Sequence, residues 1–187
     1  MLKIGDQIPE IEFEAFQNEK IDKKKLSDYQ GKWLVLLFYP ADFTFVCPTE
    51  LKDAASFYSD FQKMGAEIAS VSTDTVYAHK AWHDSSPAVK QITYPMIADP
   101  AAKMCKAFGT YIEDEGLSLR STFIINPEGK LVAFEMHDNS IGRNTAEILR
   151  KLEASIYVQE HNGEVCPANW KPGDKTLKPG LDIVGKI

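Results

Sequence analysis

The chain has 187 residues, 44% hydrophobic and 26% charged, which predicts one soluble globular domain with a complete hydrophobic core. A net charge of -6, with lysine and arginine scattered, argues against a nucleic-acid surface. The longest apolar run, Trp33 to Tyr39, is too short to cross a bilayer, and the first residues lack an apolar signal region. We therefore expect a cytoplasmic protein without membrane association. Three cysteines, with no Cys-x-x-Cys and no Cys/His pair at finger spacing, argue against a disulfide scaffold or a structural zinc site.

The first forty residues predict strands that lead into the centre of a sheet. Residues 1–32 have the pattern of a capping extension, in which Ile11, Phe13 and Ala15 alternate with other residues as in a half-buried strand. The run Lys23-Lys24-Lys25 is interpreted as a solvated turn. The segment from Trp33 to Tyr39 is apolar on both faces, which is typical of a central strand with helices on either side.

An alternation of helices and strands follows the central strand. One apolar stripe predicts a helix from about Pro48 to Met64, with Gly65 as its stop. The next predicted elements are a strand at 67–72, a helix at 76–84 capped by Asp74 or Thr75, a strand at 94–98, and a helix at 101–108 that ends at Gly109.

The last third of the chain predicts a hairpin, a helix and an irregular arm. Segments 119–125 and 130–136 flank the turn residues 126–129, and a capping box at Asn144 to Glu147 opens a helix to about Tyr157. From His161 onward, glycine and proline predict an irregular, mobile arm. The element order predicts an α/β fold, a thioredoxin-like sandwich with an N-terminal strand extension. We expect one domain over 1–160 and a C-terminal arm over 161–187.

Cys47 is the strongest candidate for chemistry. It follows the predicted central strand and begins a helix, where unpaired N–H groups and a partial positive charge favour a thiolate. An ordinary thiol is only about 3% ionised at pH 7, and complete ionisation gains only about thirtyfold in reactive species. Hydrogen-bond donors to the transition state must therefore supply the larger part of the rate enhancement, and Thr44 and Arg120 are the candidates.

A single nucleophilic thiol needs a second sulfur to complete a redox cycle. Thr44 stands where a Cys-x-x-Cys motif would have its first cysteine, so no local disulfide can close. An oxidised Cys47 would be a sulfenic acid, which condenses readily with another thiol. Cys166 in the arm is the natural partner, whereas Cys105 fits a buried apolar position. The four histidines show no pattern and are interpreted as structural or solvated.

The residues Pro40, Thr44 and Cys47 match the Pro-x-x-x-Thr-x-x-Cys signature of peroxiredoxins. The longer segment from Phe43 to Glu50 resembles the typical two-cysteine class of that family, and the resemblance extends over essentially the whole chain. It implies a thiol peroxidase that reduces hydrogen peroxide and alkyl hydroperoxides, without a metal, haem or flavin bound to this chain.

The resemblance also implies a role for each matching residue. Cys47 would be the peroxidatic cysteine, Cys166 the resolving cysteine, and Thr44 and Arg120 would bind and polarise the peroxide. The implied supporting roles are water exclusion by Pro40, a charge network that holds the essential arginine through Glu50 and Arg143, and packing beside the pocket by Trp82.

The same resemblance implies partners. The resolving cysteine would come from the partner protomer of a homodimer, and such dimers often form a decamer through the Cys47 loop and the turn at 75–78. The reductant would be a flavin-containing disulfide reductase or thioredoxin. The chain departs from easily inactivated relatives in having Asp114-Glu115-Gly116-Leu117 and no C-terminal Tyr-Phe pair, so we expect resistance to overoxidation. A thiol–disulfide exchange enzyme and a holdase chaperone remain alternative functions.

Overall fold

The computed structural model describes residues 2–186, and its core is a seven-stranded sheet. The strands of this sheet are β1 (Glu12–Gln17), β2 (Lys20–Lys25), β3 (Trp33–Phe38), β4 (Ala66–Ser72), β5 (Met96–Ala98), β8 (Arg120–Ile125) and β9 (Leu131–His137), and a separate small hairpin pairs β6 (Tyr111–Ile112) with β7 (Leu117–Ser118). The strand order in the large sheet is β2-β1-β5-β4-β3-β8-β9.

The helices begin and end close to the predicted positions. Thr75 caps the second helix by accepting a hydrogen bond from the Ala78 backbone N–H, and Gly109 ends the third helix in a left-handed conformation. The helices are α1 (Cys47–Lys63), α2 (Val76–Ser85), α3 (Lys103–Phe108) and α4 (Thr145–Glu160). None of the described helices is both long and apolar enough to span a membrane.

Strand β3 lies in the interior of the sheet, as its apolar sequence predicts. It pairs in parallel with β4 and antiparallel with β8. Leu34, Leu36 and Phe38 enter one hydrophobic cluster with Phe108 of α3 and Phe123 of β8. The alternate residues of β3 are equally buried on the opposite face, so both faces of the strand are covered.

The structure corrects the interpretation of the lysine run. Lys23, Lys24 and Lys25 are not a turn, because they form the second half of β2 and pair antiparallel with β1. The actual turn contains Asn18 and Glu19, both with positive φ. Strand β2 is an exposed edge strand, where lysine side chains remain solvated and discourage pairing with other chains.

Two compact units divide the chain, one up to Thr145 and one from Ala146 onward. Helix α4, apart from its first residue Thr145, thus belongs to the unit that contains the arm. Within that unit the arm has local order: Trp170 is buried, and an isolated β-bridge joins Val165 to Leu177. The division of the sequence at residue 160 into a domain and an arm stays a prediction.

Candidate active site

Cys47 lies at the edge of the sheet where parallel strands β3 and β4 end. The chain leaves β3 at Phe38 and begins α1 at Cys47, with Pro48 in the first helical turn. The sulfur is a free thiol and the residue is 1% exposed. Pro48 has no backbone N–H, and the backbone N–H groups of Thr49 and Glu50 both donate to the Val46 carbonyl. The positive end of the helix dipole is therefore the backbone feature that favours a thiolate at this position.

Arg120 is brought to Cys47 by strand pairing. Its neighbour Ser121 pairs with Phe38, so Arg120 lies level with the end of β3, where the Cys47 loop starts. Its Nη1 donates to the Cys47 sulfur at 3.5 Å and also to a Glu50 carboxylate oxygen. Its Nε–H has no acceptor among the described residues, so this buried donor remains available to an oxygen of a bound molecule.

Glu50 holds two arginines with one carboxylate. It lies one helical turn after Cys47 on α1, and its side chain is 5% exposed. Beside Arg120, it accepts hydrogen bonds from the Arg143 backbone N–H at 2.8 Å and from Arg143 Nε at 3.0 Å. Arg143 Nη1 also donates to the Ser121 carbonyl at 2.8 Å. The carboxylate thereby fixes the position of Arg120 beside the sulfur.

Thr44 and Pro40 lie in the loop between β3 and α1. The Thr44 hydroxyl donates to the Ala41 carbonyl at 2.8 Å, so its lone pairs remain free to accept a hydrogen bond. The described hydrogen bonds of Thr44 do not include one to Cys47. Pro40 is buried and has no backbone N–H to offer water. These placements are compatible with the roles that the sequence predicts, which stay predictions.

Trp82 packs beneath the same loop. It is buried on α2, and its ring centroid lies 6.2 Å from that of Tyr39 and 6.0 Å from that of Phe43. Phe43 has a left-handed φ of 56°, which is uncommon for an aromatic residue and marks a locally constrained loop. Trp82 therefore supports the loop by packing.

A buried polar network under the loop was not predicted from the sequence. The Tyr39 hydroxyl donates to Asp42 at 2.7 Å, and the other Asp42 oxygen lies 2.8 Å from His79 Nδ1. His79 Nε2 lies 3.2 Å from the Ile97 carbonyl, so both ring nitrogens face oxygen atoms. Burial raises the pKa of Tyr39, which keeps its hydroxyl a donor. Asp42 and His79 are 37 positions apart, and no spacing in the sequence links them.

The other two cysteines differ sharply in environment. Cys105 is completely buried, and burial raises the pKa of its thiol to about 12, which makes it inert. Cys166 is half-buried in the second unit, with its sulfur 3.9 Å from the Ala154 carbonyl, and its thiol is also free. Burial raises the pKa of Cys166 as well, while Arg150 acts in the opposite direction.

One group of potential metal ligands occurs among residues 2–186, formed by Glu19, His83 and Asp84. The Lys80 ammonium lies 2.8 Å from Glu19 and 2.7 Å from Asp84, so a lysine already neutralises both carboxylates. The group therefore has the character of a surface ion-pair cluster.

Comparison with known proteins places this geometry in a family. The model of the AhpC/TSA family matches residues 4–134, and a model described as the C-terminal domain of 1-Cys peroxiredoxin matches residues 157–182. The second segment contains Cys166, so this chain has a second cysteine within the matched region.

Similar proteins cover the chain along its full length. Alkyl hydroperoxide reductase C of Pseudomonas aeruginosa is 51% identical over 100% of both chains, and that of Escherichia coli K12 is 48% identical over the same span. The Enterococcus faecalis AhpC crystal structure has a TM-score of 0.87 at 42% identity, covering 89% of this chain and 100% of that one.

A reduced 2-Cys peroxiredoxin of Plasmodium vivax has a TM-score of 0.91 at 30% identity, covering 96% of this chain and 94% of that one. The predicted thioredoxin-like fold and the resemblance to two-cysteine peroxiredoxins, in particular bacterial alkyl hydroperoxide reductase C, are thereby confirmed. The chain belongs to the AhpC/TSA family.

Proposed function

We propose that this protein is a thiol-dependent peroxidase that reduces hydrogen peroxide and organic hydroperoxides through Cys47. The observation that carries the proposal is the 3.5 Å contact between Arg120 Nη1 and the Cys47 sulfur at a buried helix N-terminus. A guanidinium at this distance stabilises the thiolate and also the negative charge that develops during peroxide cleavage.

In the first step, the Cys47 thiolate attacks the terminal oxygen of the hydroperoxide. The O–O bond breaks, the sulfur is oxidised to a sulfenic acid, and the departing alkoxide or hydroxide takes up a proton. Thr44 Oγ1, whose hydrogen is committed to Ala41, accepts the hydrogen bond of the attacked O–H group. The unpaired Nε–H of Arg120 donates to a peroxide oxygen, and Pro40 limits the entry of water.

In the second step, Cys166 from a second copy of the chain condenses with the sulfenic acid. Strand β9 supports such a homodimer, because it ends the sheet and has no further strand paired to it among the described residues. Phe134 of β9 is 40% exposed, and edge pairing would cover it. The buried sulfur of Cys47 must leave its pocket, so the first turn of α1 has to unfold locally.

Higher assembly and reduction complete the proposed cycle. Phe43, Phe45 and Tyr77 expose 59%, 92% and 74% of their surface at the Cys47 loop and the start of α2, as the contact between dimers of a decamer would require. A flavin-containing disulfide reductase or thioredoxin would reopen the disulfide, and the sparse use of cysteine fits work in the cytoplasm.

The test compares serine variants of the three cysteines after addition of equimolar peroxide, by non-reducing electrophoresis and by turnover with a dithiol reductant. We expect the wild type and Cys105→Ser to form linked dimers, and Cys166→Ser to undergo one oxidation without continued turnover. Cys47→Ser should consume no peroxide. Normal turnover of the Cys166→Ser variant would remove Cys166 from the mechanism, and peroxide consumption by Cys47→Ser would refute the proposal.

The alternatives have weaker support. A thiol–disulfide exchange enzyme needs a second cysteine near the first, and Thr44 occupies that position. An assay of insulin reduction separates the two activities. A holdase function would leave the Cys47–Arg120 contact without a purpose.

A further inference from the structure

Arg150 lies on the same face of α4 as the carbonyl next to Cys166. The Cys166 sulfur is 3.9 Å from the Ala154 carbonyl, and Arg150 precedes Ala154 by about one helical turn. Residues four apart lie on neighbouring turns of one helix face, and the arm contacts this face at both positions, through Trp170 at Arg150 and through Cys166 at Ala154. Cys166 and Arg150 both belong to the unit that starts at Ala146.

The guanidinium of Arg150 is held in a fixed orientation. Its Nε and Nη2 donate to the two Glu147 oxygens at 2.7 Å and 2.8 Å, a bidentate pair within α4. Its Nη1 donates to the Trp170 carbonyl at 3.0 Å. Trp170 is buried and donates its indole N–H to the Asp174 carbonyl, so the arm is folded just beyond Cys166.

We propose that Arg150 is a positioning residue for the resolving step, which ties the arm to α4 at Trp170 and places a positive charge on the helix face that Cys166 contacts. This inference rests on the proposed function, in which Cys166 resolves the sulfenic acid of another chain. Trp170 follows Cys166 by four residues, so the Arg150–Trp170 hydrogen bond limits how far the sulfur moves before it reacts.

A positive charge on this helix face favours the resolving step. The Cys166 thiolate attacks the Cys47 sulfur, the S–O bond breaks, and hydroxide leaves and is protonated to water. One sulfur is oxidised and the other reduced, so no further oxidant is needed. Burial and the Glu164 carboxylate raise the pKa of Cys166, whereas Arg150 opposes both. With a neutral residue at position 150, a smaller fraction of Cys166 would be present as the attacking thiolate.

Alkylation of Cys166 tests the charge effect without peroxide. In a Cys47→Ser background, the rate of reaction with iodoacetamide is followed from about pH 7 to about pH 11.5, so that the profile extends above the ordinary pKa of a thiol. We expect Arg150→Gln to shift the midpoint of the profile upward and to slow alkylation at pH 7.5 about three- to tenfold. Arg150→Lys, which keeps the positive charge, should retain most of the wild-type alkylation rate at pH 7.5. Lys151→Gln is the matched control, since it removes a neighbouring cation of α4, and it should leave the profile unchanged.

The plateau rate at high pH separates charge from access. If Arg150→Gln only loosened the arm, the plateau would rise while the midpoint stayed in place, and that result would overturn the role of the charge and leave Arg150 only the tie to Trp170. An unchanged midpoint together with an unchanged plateau would overturn it as well.

Single-turnover kinetics with Cys47 intact separate this inference from the proposed function. We expect Arg150→Gln to slow formation of the Cys47–Cys166 disulfide after peroxide addition, while the preceding oxidation of Cys47 keeps its rate. A wild-type protein that forms no such disulfide would contradict the proposed function itself. A wild-type protein that forms it at the same rate as Arg150→Gln would contradict only the role of Arg150.

Discussion

Replacing Arg120 with methionine should slow the oxidation of Cys47 by hydrogen peroxide about 10²- to 10³-fold. Methionine keeps much of the apolar length of the side chain but removes the guanidinium. The lost groups are the Nη1 donor, 3.5 Å from the sulfur, and the unpaired Nε–H that the proposed mechanism assigns to the peroxide.

The magnitude follows from the distance. A unit positive charge 3.5 Å from a thiolate contributes about 5 kcal/mol at an effective dielectric constant of about 20. Part of this attraction is not available to the sulfur, because the same Nη1 also donates to Glu50. Loss of one preorganised transition-state donor typically raises the activation free energy by about 3–4 kcal/mol. This increase corresponds to the expected decrease of about 10²- to 10³-fold in the rate of oxidation.

The variant should still fold. Glu50 keeps the two side-chain hydrogen bonds from Arg143, so the carboxylate does not become an unpaired buried charge. The Asn139 carbonyl loses the hydrogen bond from Arg120 Nη2, which costs about 1–3 kcal/mol of stability. Arg143→Met is the matched control, since it removes the other guanidinium on Glu50 without removing a contact to the sulfur.

The assay is stopped-flow tryptophan fluorescence, with Trp82 packed under the Cys47 loop as a reporter. The observed rate of the first phase is measured at several peroxide concentrations, and its slope gives the second-order rate constant. Urea unfolding confirms that each variant is folded. We expect the fold decrease in the rate constant for Arg143→Met to be less than a tenth of the fold decrease for Arg120→Met. A folded Arg120→Met protein that reacts within tenfold of the wild type would refute the catalytic role of the guanidinium.

Three further predictions concern stability and thiol reactivity. Glu50→Gln leaves Arg120 and Arg143 buried without their carboxylate and should lower the free energy of unfolding by about 3–5 kcal/mol in urea titrations; a loss under 1 kcal/mol would contradict the bracing role. The folded-state pKa of Cys105 is raised to about 12, so folding protects its thiol form at pH 9, and the contribution of this group to stability should fall as pH rises from about 9 to 12. Iodoacetamide at pH 9 should thus label Cys105 only in guanidinium chloride, and labelling of the native protein would show that the site opens. Under turnover with millimolar peroxide, mass spectrometry should find Cys47 mostly free of sulfinic acid, and rapid conversion to the sulfinate would contradict the expected resistance.

The elements with strong periodicity were predictable because local pattern and tertiary position agree. Strand β3 is apolar at every position and lies inside the sheet, and α1 places its apolar stripe in the protein interior. The prediction for the lysine run was wrong, because an exposed edge strand needs no apolar alternation. There β2 forms through its hydrogen bonds to β1, which sequence composition does not encode.

The candidate site was predictable in part. Cys47 and Thr44 stand out in the sequence, since they are close together and follow an apolar strand. Arg120 lies 70 positions from Glu50 and Arg143 lies 93 positions from it, so only strand pairing or a family resemblance can join them. His79 was interpreted as structural or solvated, and it is completely buried against Asp42.

The shared carboxylate of Glu50 has a consequence for the oxidised enzyme. In the thiolate state of the proposed mechanism, two guanidinium cations are balanced by two anions, the carboxylate and the sulfur. Conversion of the sulfur to a neutral sulfenic acid removes one anion and leaves a buried excess positive charge. In the proposed mechanism, oxidation would therefore destabilise the closed pocket at the step in which the sulfur must leave it, and would favour the local unfolding of α1.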